Sequence, residues 1–244
     1  MTAKSGDKTQ INVNWIKKIP IAHRGLHSPD KGIFENTLSA ALAAKEAGYA
    51  IEIDLQPSAD GIPMVFHDYQ LKRMTGHDGK TRELDLESLR QLKIAGTKDH
   101  IPTLREFLDL VRGQVPIVLE LKGLPGMDDG FVDAVARELA HYDGDVAIMS
   151  FHHHILRDAR ALHPGIALGL TAEGDDSAYE QHSQIVKETE PDFISYELAN
   201  LNCRFVSEFT ASGKPAICWT VRSAEDAAHA DKHVDQITFE GFLP

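Results

Sequence analysis

Tyr49-Ala50-Ile51-Glu52-Ile53-Asp54-Leu55 places two carboxylates two residues apart in an otherwise apolar run. In a strand, alternate side chains share a face, so Glu52 and Asp54 point the same way. Two like charges facing a low-dielectric interior repel and are costly to desolvate, and a cation between them relieves both problems. The alternative is an amphipathic edge strand with one wetted face. The run itself leaves both readings open.

On either side of it, short runs rich in Ile, Val, Leu and Phe alternate with amphipathic segments of helical period, the pattern of a parallel α/β fold. Strands are expected near 20–24, 50–55, 116–121, 146–151, 166–171, 192–196, 216–221 and 236–239. Helices are expected near 37–47, 103–112, 130–141, 154–162, 178–189, 200–212 and 223–232. Asn36-Thr37 and Ser223 are placed to cap two of these helices, while Gly48 and Gly213 sit where C-terminal glycines belong. Eight strands with alternating helices predict a closed (β/α)8 TIM-type barrel, with a doubly wound sheet as the alternative because periodicity does not report closure. The 244 residues match the size of one such barrel, so residues 1–244 are read as a single domain.

Two irregularities qualify this plan. Only twelve residues separate Asp54 from His67, too few for a parallel crossover, so 63–67 is read as a hairpin return. An insertion over about 57–100 follows from this, its polar part 68–100 passing over one end of the fold before Pro102 starts the next helix. The chain also stops a few residues after the last apolar strand, so the eighth helix is reduced or missing. Ile11 to Ile19, which contains Trp15, is expected to cover part of that gap. His152-His153-His154 is expected in a solvated loop, because consecutive residues diverge and do not ligate one metal well.

The formal net charge of −12 disfavours nucleic acid and anionic lipid, so a phosphate-bearing ligand needs a local cationic pocket. Met1–Gln10 is polar and lacks the apolar core of a secretory signal, and no span is long enough for a membrane helix. Cys203 and Cys218 form neither a CxxC pair nor a disulfide framework. The expectation is a cytoplasmic protein without stable membrane insertion.

Polar groups collect at the C-terminal ends of the expected strands, the rim where barrels of this kind build active sites. The first strand ends His23-Arg24-Gly25, the second carries Glu52 and Asp54, and the third reads Val118-Leu119-Glu120-Leu121-Lys122. The hairpin return ends Phe66-His67-Asp68, and the seventh strand ends Trp219-Thr220-Val221-Arg222. Three carboxylates, one divalent cation, Arg24 and Lys122 sum to a single positive charge, which a singly charged phosphodiester balances. An all-oxygen donor set suits Mg²⁺ or Ca²⁺ rather than zinc. His23 and His67 are then candidates for general acid and base. Taken singly, each residue has an ordinary reading: a satisfied core histidine, a surface Glu120–Lys122 pair, a core tryptophan. Five strand ends with the same anomaly favour a site.

The ordered set His23-Arg24-Gly25, Glu35-Asn36-Thr37, Glu52-Ile53-Asp54, Asp60-Gly61 through His67-Asp68, Ile101-Pro102-Thr103-Leu104, Glu120-Leu121-Lys122, Ser150-Phe151 and Trp219-Thr220-Val221 resembles the glycerophosphodiester phosphodiesterases. That resemblance implies a TIM barrel that hydrolyses glycerophosphodiesters to glycerol 3-phosphate and an alcohol. It assigns Glu52, Asp54 and Glu120 as metal ligands and His23 and His67 as the acid/base pair. Arg24 and Lys122 hold phosphate, and Phe151 and Trp219 offer apolar surface to the glycerol or the leaving group. Glu35 is a supporting residue, and Asn36 is expected to cap the helix.

Three departures stand out. Phe34 replaces a usual proline, Arg222 a usual asparagine, and Phe239-Glu240 a usual Thr-Asp. Arg222 either adds a cation for a second anionic group or points outward. The C-terminal change, with the missing helix, hints at contacts in a possible homo-oligomer. The competing functional readings are a phospholipase- or lyase-type phosphodiesterase releasing a cyclic phosphate, and a non-catalytic binder of a phosphate ligand. Retention of both histidines and all three carboxylates favours the enzyme, because a binder needs cations more than a proton-transfer pair.

Overall fold

The computed structural model describes residues 11–244; Met1–Gln10, read above as lacking a secretory core, lies outside the described residues. The strands are β1 (Ile21–Ala22), β2 (Ala50–Pro57), β3 (Pro63–Val65), β4 (Ile117–Leu121), β5 (Val146–Ser150), β6 (Ala167–Ala172), β7 (Phe193–Glu197), β8 (Ala216–Val221) and β9 (Gln236–Phe239). All but β3 pair in parallel, and β1 pairs with both β2 and β9, which closes an eight-stranded barrel. The doubly wound alternative is excluded by that pairing. β3 returns antiparallel along β2 with Leu55 opposite Val65, the expected hairpin.

The helices are α1 (Leu38–Ala47), α2 (Lys72–Thr75), α3 (Leu86–Gln91), α4 (Leu104–Val111), α5 (Phe131–Leu139), α6 (His153–Leu162), α7 (Tyr179–Thr189), α8 (Arg204–Ala211) and α9 (Ala224–Ala230). Side-chain caps start several of them. Thr37 caps α1 by accepting from the Ala40 N–H at 3.1 Å, and Ser223 caps α9 by accepting from Asp226. Thr103 and Glu106 cap α4 reciprocally. No helix follows β9 among the described residues.

Outward strand residues and inward helix faces form the main core, which includes Ile51, Leu119, Phe107 and Leu170. A second core fills the N-terminal half of the barrel interior with Ala50, Val118, Ala147, Ala167 and Phe193. Val13, Trp15 and Ile16 pack into that core from below. Ile11–Ile19 therefore does not stand in for the missing helix. It plugs the N-terminal mouth, because its apolar side chains find the exposed ends of the interior Ala and Val residues there rather than a helix-sized groove outside. A third, small core of Met64, Phe66, Leu71, Met74, Leu89, Ile94 and Ile101 organises the segment after β3.

His152-His153-His154 also differs from expectation. His152 is the N-cap residue of α6 and the other two lie in its first turn, half-buried. His152 and His154 meet separate partners, the Tyr69 hydroxyl at 3.3 Å and Asp128 at 2.6 Å, with their rings edge to face at 5.8 Å.

Gly169 faces Phe193 across the barrel register, and a Cβ there would lie 2.2 Å from the Phe193 ring. Gly169→Ala is expected to cost about 1–3 kcal/mol by overpacking, read as a lower urea midpoint, and Phe193→Leu in the same chain should return part of the loss. Strictly additive losses would show that Phe193 is not the obstacle.

Candidate active site

Interior side chains on β2 climb from Ala50 through Glu52 and Asp54 to Gln56, all buried, so the apolar floor gives way to charge within two residues. Register places Asp54 beside Glu120 of β4. Carboxylate oxygens of Glu52, Asp54 and Glu120 all lie within 4.8 Å of one another. The edge-strand reading of β2 is thereby overturned: it sits between β1 and β4, and its carboxylates face a shared interior.

The three carboxylates differ in how they are compensated. Asp54 takes Lys122 Nζ at 3.0 Å, Arg24 Nε at 3.5 Å and the Asn36 side-chain amide at 2.8 Å. Burial pushes its pKa up, but Lys122, His67 and Arg24 outweigh that and hold it well below the usual carboxylate range. Glu120 pairs with Lys122, yet burial keeps its pKa raised. Glu52 is the unsettled member. Burial, then Asp54 and Glu120, drive its pKa well above 4.5, and its Oε1 finds no hydrogen-bond partner among the described residues. Its Oε2 accepts the Arg24 N–H at 2.9 Å.

The turn after β1 makes that last contact. Arg24 and Gly25 both take positive φ, and a Cβ on Gly25 would lie 2.8 Å from Ala40 Cβ, so only glycine lets the turn rest against α1. Glu35 accepts from Arg24 Nη1 at 2.7 Å and from Arg73, which fixes the arginine. Asn36 does not cap α1; Thr37 does. Asn36, itself at φ 55°, instead donates to the Asp54 carboxylate and accepts the Asp54 N–H at 3.1 Å.

Both histidines present Nδ1 to a carboxylate. His23 meets Glu240 at 2.5 Å and His67 meets Asp68 at 2.8 Å. His23 Nε2 lies 4.0 Å from Glu52 Oε2. Burial lowers both histidine pKa values, against the opposing pull of Glu240 on His23 and of Asp54 on His67. Phe151 and Trp219 meet edge to face at 5.3 Å, and Lys122 Nζ stands 5.9 Å from the Phe151 ring. Arg222 is exposed and donates to Glu240 at 2.8 Å, which accounts for its cation without a second anion.

The structure therefore gathers Glu52, Asp54, Glu120, Arg24 and Lys122 by direct contact and sets His23, His67, Phe151 and Trp219 around them. Sequence reading missed what Gln56, Asn36, Asp68 and Glu240 do. The Gln56 side-chain amide lies 2.8–3.1 Å from the carbonyls of Phe66, His67 and Asp68, and so holds the loop that carries His67. Its spacing two residues beyond Asp54, on the same face, was the available signal.

The donor set fits a hard divalent cation: oxygens only, mutually close, with one buried oxygen unpartnered. Cationic side chains beside such a cluster suit an anionic ester, which defines the class as a TIM-barrel enzyme acting on phosphate diesters. The model of the glycerophosphoryl diester phosphodiesterase family matches residues 23–239. A glycerophosphodiester phosphodiesterase of Caldanaerobacter subterraneus is 32% identical over 169 residues, covering 64% of this chain and 67% of that protein. A putative one from Bacillus subtilis is 26% identical, covering 85% and 88%. The structure of an Oleispira antarctica phosphodiesterase in complex with its product sn-glycerol-3-phosphate superposes with a TM-score of 0.80 at 28% identity, over 91% of this chain and 93% of that one. The chain belongs to the glycerophosphoryl diester phosphodiesterase family and is a phosphodiesterase. No helix among the described residues is long and apolar enough to cross a membrane.

A carboxyl with a raised pKa must lose its proton before it binds a cation, so cation affinity should climb with pH until Glu52 and Glu120 are ionised. Millimolar Mg²⁺ or Ca²⁺ added to chelator-treated protein is expected to raise the melting temperature, by about 2.7 kcal/mol of stabilisation at a hundredfold excess over Kd. The shift should be larger at pH 8 than at pH 5. Equal shifts at both values would contradict the protonated state assigned to Glu52.

Proposed function

We propose that the site hydrolyses glycerophosphodiesters to glycerol 3-phosphate and an alcohol, with Mg²⁺ or Ca²⁺ held by Glu52, Asp54 and Glu120. The carrying observation is the buried three-carboxylate cluster with one oxygen of Glu52 unpartnered, bordered by two cations. When bound, the divalent ion supplies Lewis-acid polarisation of a phosphate oxygen and a lowered pKa for an attacking hydroxyl. The all-oxygen donor set favours Mg²⁺ or Ca²⁺ over softer metals.

The protein's own groups do the remaining work. Arg24 and Lys122 neutralise the non-bridging phosphate oxygens, Arg24 with its guanidinium braced by Glu35. Phe151 and Trp219 provide the apolar wall at the end of β5 and in β8. His23 and His67 move protons through Nε2, the nitrogen that each carboxylate contact leaves free. Their lowered pKa values keep the base form populated at neutral pH. The insertion of about 57–100 works as one unit with the barrel. It contributes His67, its Tyr69 hydroxyl donates to the Gly123 carbonyl at 2.9 Å, and its Arg82 donates to the Lys122 carbonyl at 2.7 Å. The two free cysteines support a cytoplasmic setting.

Incubation with glycerophosphocholine should release glycerol 3-phosphate, seen by phosphorus NMR, with loss of turnover in excess chelator and recovery on adding Mg²⁺ or Ca²⁺. Full activity in chelator overturns the metal assignment, and a cyclic phosphate as final product overturns hydrolysis. Glu52→Gln should remain folded and lose turnover.

Glu240 is a positioning residue for His23, since it fixes the Nδ1–H tautomer and aims Nε2 inward. Glu240→Ala is expected to lower kcat by about 10- to 100-fold with KM little changed. Arg222→Ala, which loosens only the outer oxygen of Glu240, should cost less. A KM effect without a kcat effect would place Glu240 in substrate binding instead.

A further inference from the structure

Arg73 lies on α2, in the segment after β3, and the catalytic arrangement above gives it nothing beyond a contact with Glu35. Its neighbours Leu71 and Met74 are buried in the small third core, which fixes α2 against the rest of that segment. From this base its side chain, about half exposed, reaches two carboxylates that serve different functional groups. Resting on the catalytic reading of His67 and the phosphate-binding reading of Arg24, we propose that Arg73 is a positioning residue that sets these two groups in register with each other.

The guanidinium fork carries the case. Arg73 Nε and Nη2 donate to Asp68 at 2.6 and 2.9 Å, and Nη1 and Nη2 donate to Glu35 at 3.0 and 2.7 Å. Nη1 also meets Met74 Sδ at 3.1 Å, so all five N–H donors of the guanidinium are engaged. Nη2 is the shared point. It holds Asp68 Oδ1, the oxygen 2.8 Å from His67 Nδ1, and Glu35 Oε1, the oxygen that accepts from Arg24 Nη1 at 2.7 Å. His67 and Arg24 lie on the loops after β3 and β1, and Asp68, Arg73 and Glu35 join them by contacts of 2.9 Å or less.

Charge and shape both call for an arginine here. Burial pushes the Glu35 and Asp68 pKa values up, but the Arg73 hydrogen bonds, helped by Arg24 at Glu35 and by His67 at Asp68, outweigh it and hold both low. Without Arg73, two negative charges would stand behind the groups that receive an anionic phosphate. A lysine would supply the charge, but as a point donor it does not hold two carboxylates in one plane. A strut tying α2 to the loop before α1 would need Glu35 alone. The second bidentate grip, on Asp68, is the one that reaches His67.

Two measurements test this, and they separate it from the catalytic reading. The first is turnover of glycerophosphocholine, with urea midpoints for each variant. Arg73→Ala is expected to lower kcat/KM by about 10- to 100-fold, with kcat reduced through His67, KM raised through Arg24, and the midpoint close to that of the parent. Arg73→Lys, which keeps the charge and loses the fork, should recover only part of the loss. Asp68→Asn added to Arg73→Ala should cost little more. Full recovery by lysine, losses that multiply in the double variant, or a loss that follows a lowered midpoint overturns the proposal. The second is the ¹⁵N spectrum of histidine-labelled protein, with the His67 ring identified by its absence in His67→Gln. The ring should hold one Nδ1–H tautomer in the parent and average between tautomers in Arg73→Ala; an unchanged tautomer overturns the proposal. Absence of turnover on every diester would instead defeat the catalytic reading, and the histidine spectra would still decide whether Arg73 positions His67.

Discussion

Three carboxylates buried within 4.8 Å of one another are the constraint on which the rest of the structure depends. In a low-dielectric interior their mutual repulsion and lost hydration are worth several kcal/mol per ion, and the surroundings relieve this unevenly. Asp54 is met by Lys122, Arg24 and Asn36, whereas Glu52 receives one backbone N–H and keeps a partnerless oxygen. The two unusual backbone conformations nearest the site, at Arg24 and Asn36, both serve this cluster: the first turns an N–H onto Glu52, and the second turns an amide onto Asp54. A divalent ion is the simplest addition that would settle Glu52 and Glu120 together, leaving the two basic side chains free to face a phosphate.

Placing such a cluster at one end of the barrel requires that the other end be rigid and dry. The N-terminal half of the interior is filled by small and branched residues, with the Phe193 ring lying across Gly169 and with Trp15 and Ile16 closing the mouth. Above that floor the alternation of strand side chains does the rest. Every second residue of β2 faces the interior, so the step from Ala50 to Glu52 is also the step from core to site. Parallel register then brings Glu120 opposite Asp54, and Lys122 follows one interior position further on.

Much of this was legible in the chain. All eight barrel strands and the hairpin at 63–67 follow from apolar runs, turn residues and counting, because strand periodicity is a local property. Glu52, Asp54, Glu120 and Lys122 were legible for the same reason: a charge at period two in an apolar run is an anomaly visible without coordinates. Partners chosen across the fold were not. Asn36 stands next to a helix start and reads as a cap, yet Thr37 takes that role because its hydroxyl reaches Ala40, which frees Asn36 for Asp54 eighteen residues away. The three histidines read as a loop because no local signal reveals Tyr69 and Asp128 as the partners of His152 and His154. Ile11–Ile19 reads as apolar and in need of cover, but which of two gaps it fills is a property of the closed barrel.

The two C-terminal departures from the family pattern, Arg222 and Glu240, looked unrelated in the chain because eighteen residues separate them. In the fold they are one ion pair at 2.8 Å, formed where β8 and β9 end side by side. A glutamate reaches one methylene further than the usual aspartate, and that reach lets one oxygen meet His23 while the other meets Arg222. Burial works against ionisation of Glu240, but His23, His27 and Arg222 outweigh it and hold its pKa below the usual carboxylate range. An arginine at 222 thus compensates a glutamate at 240.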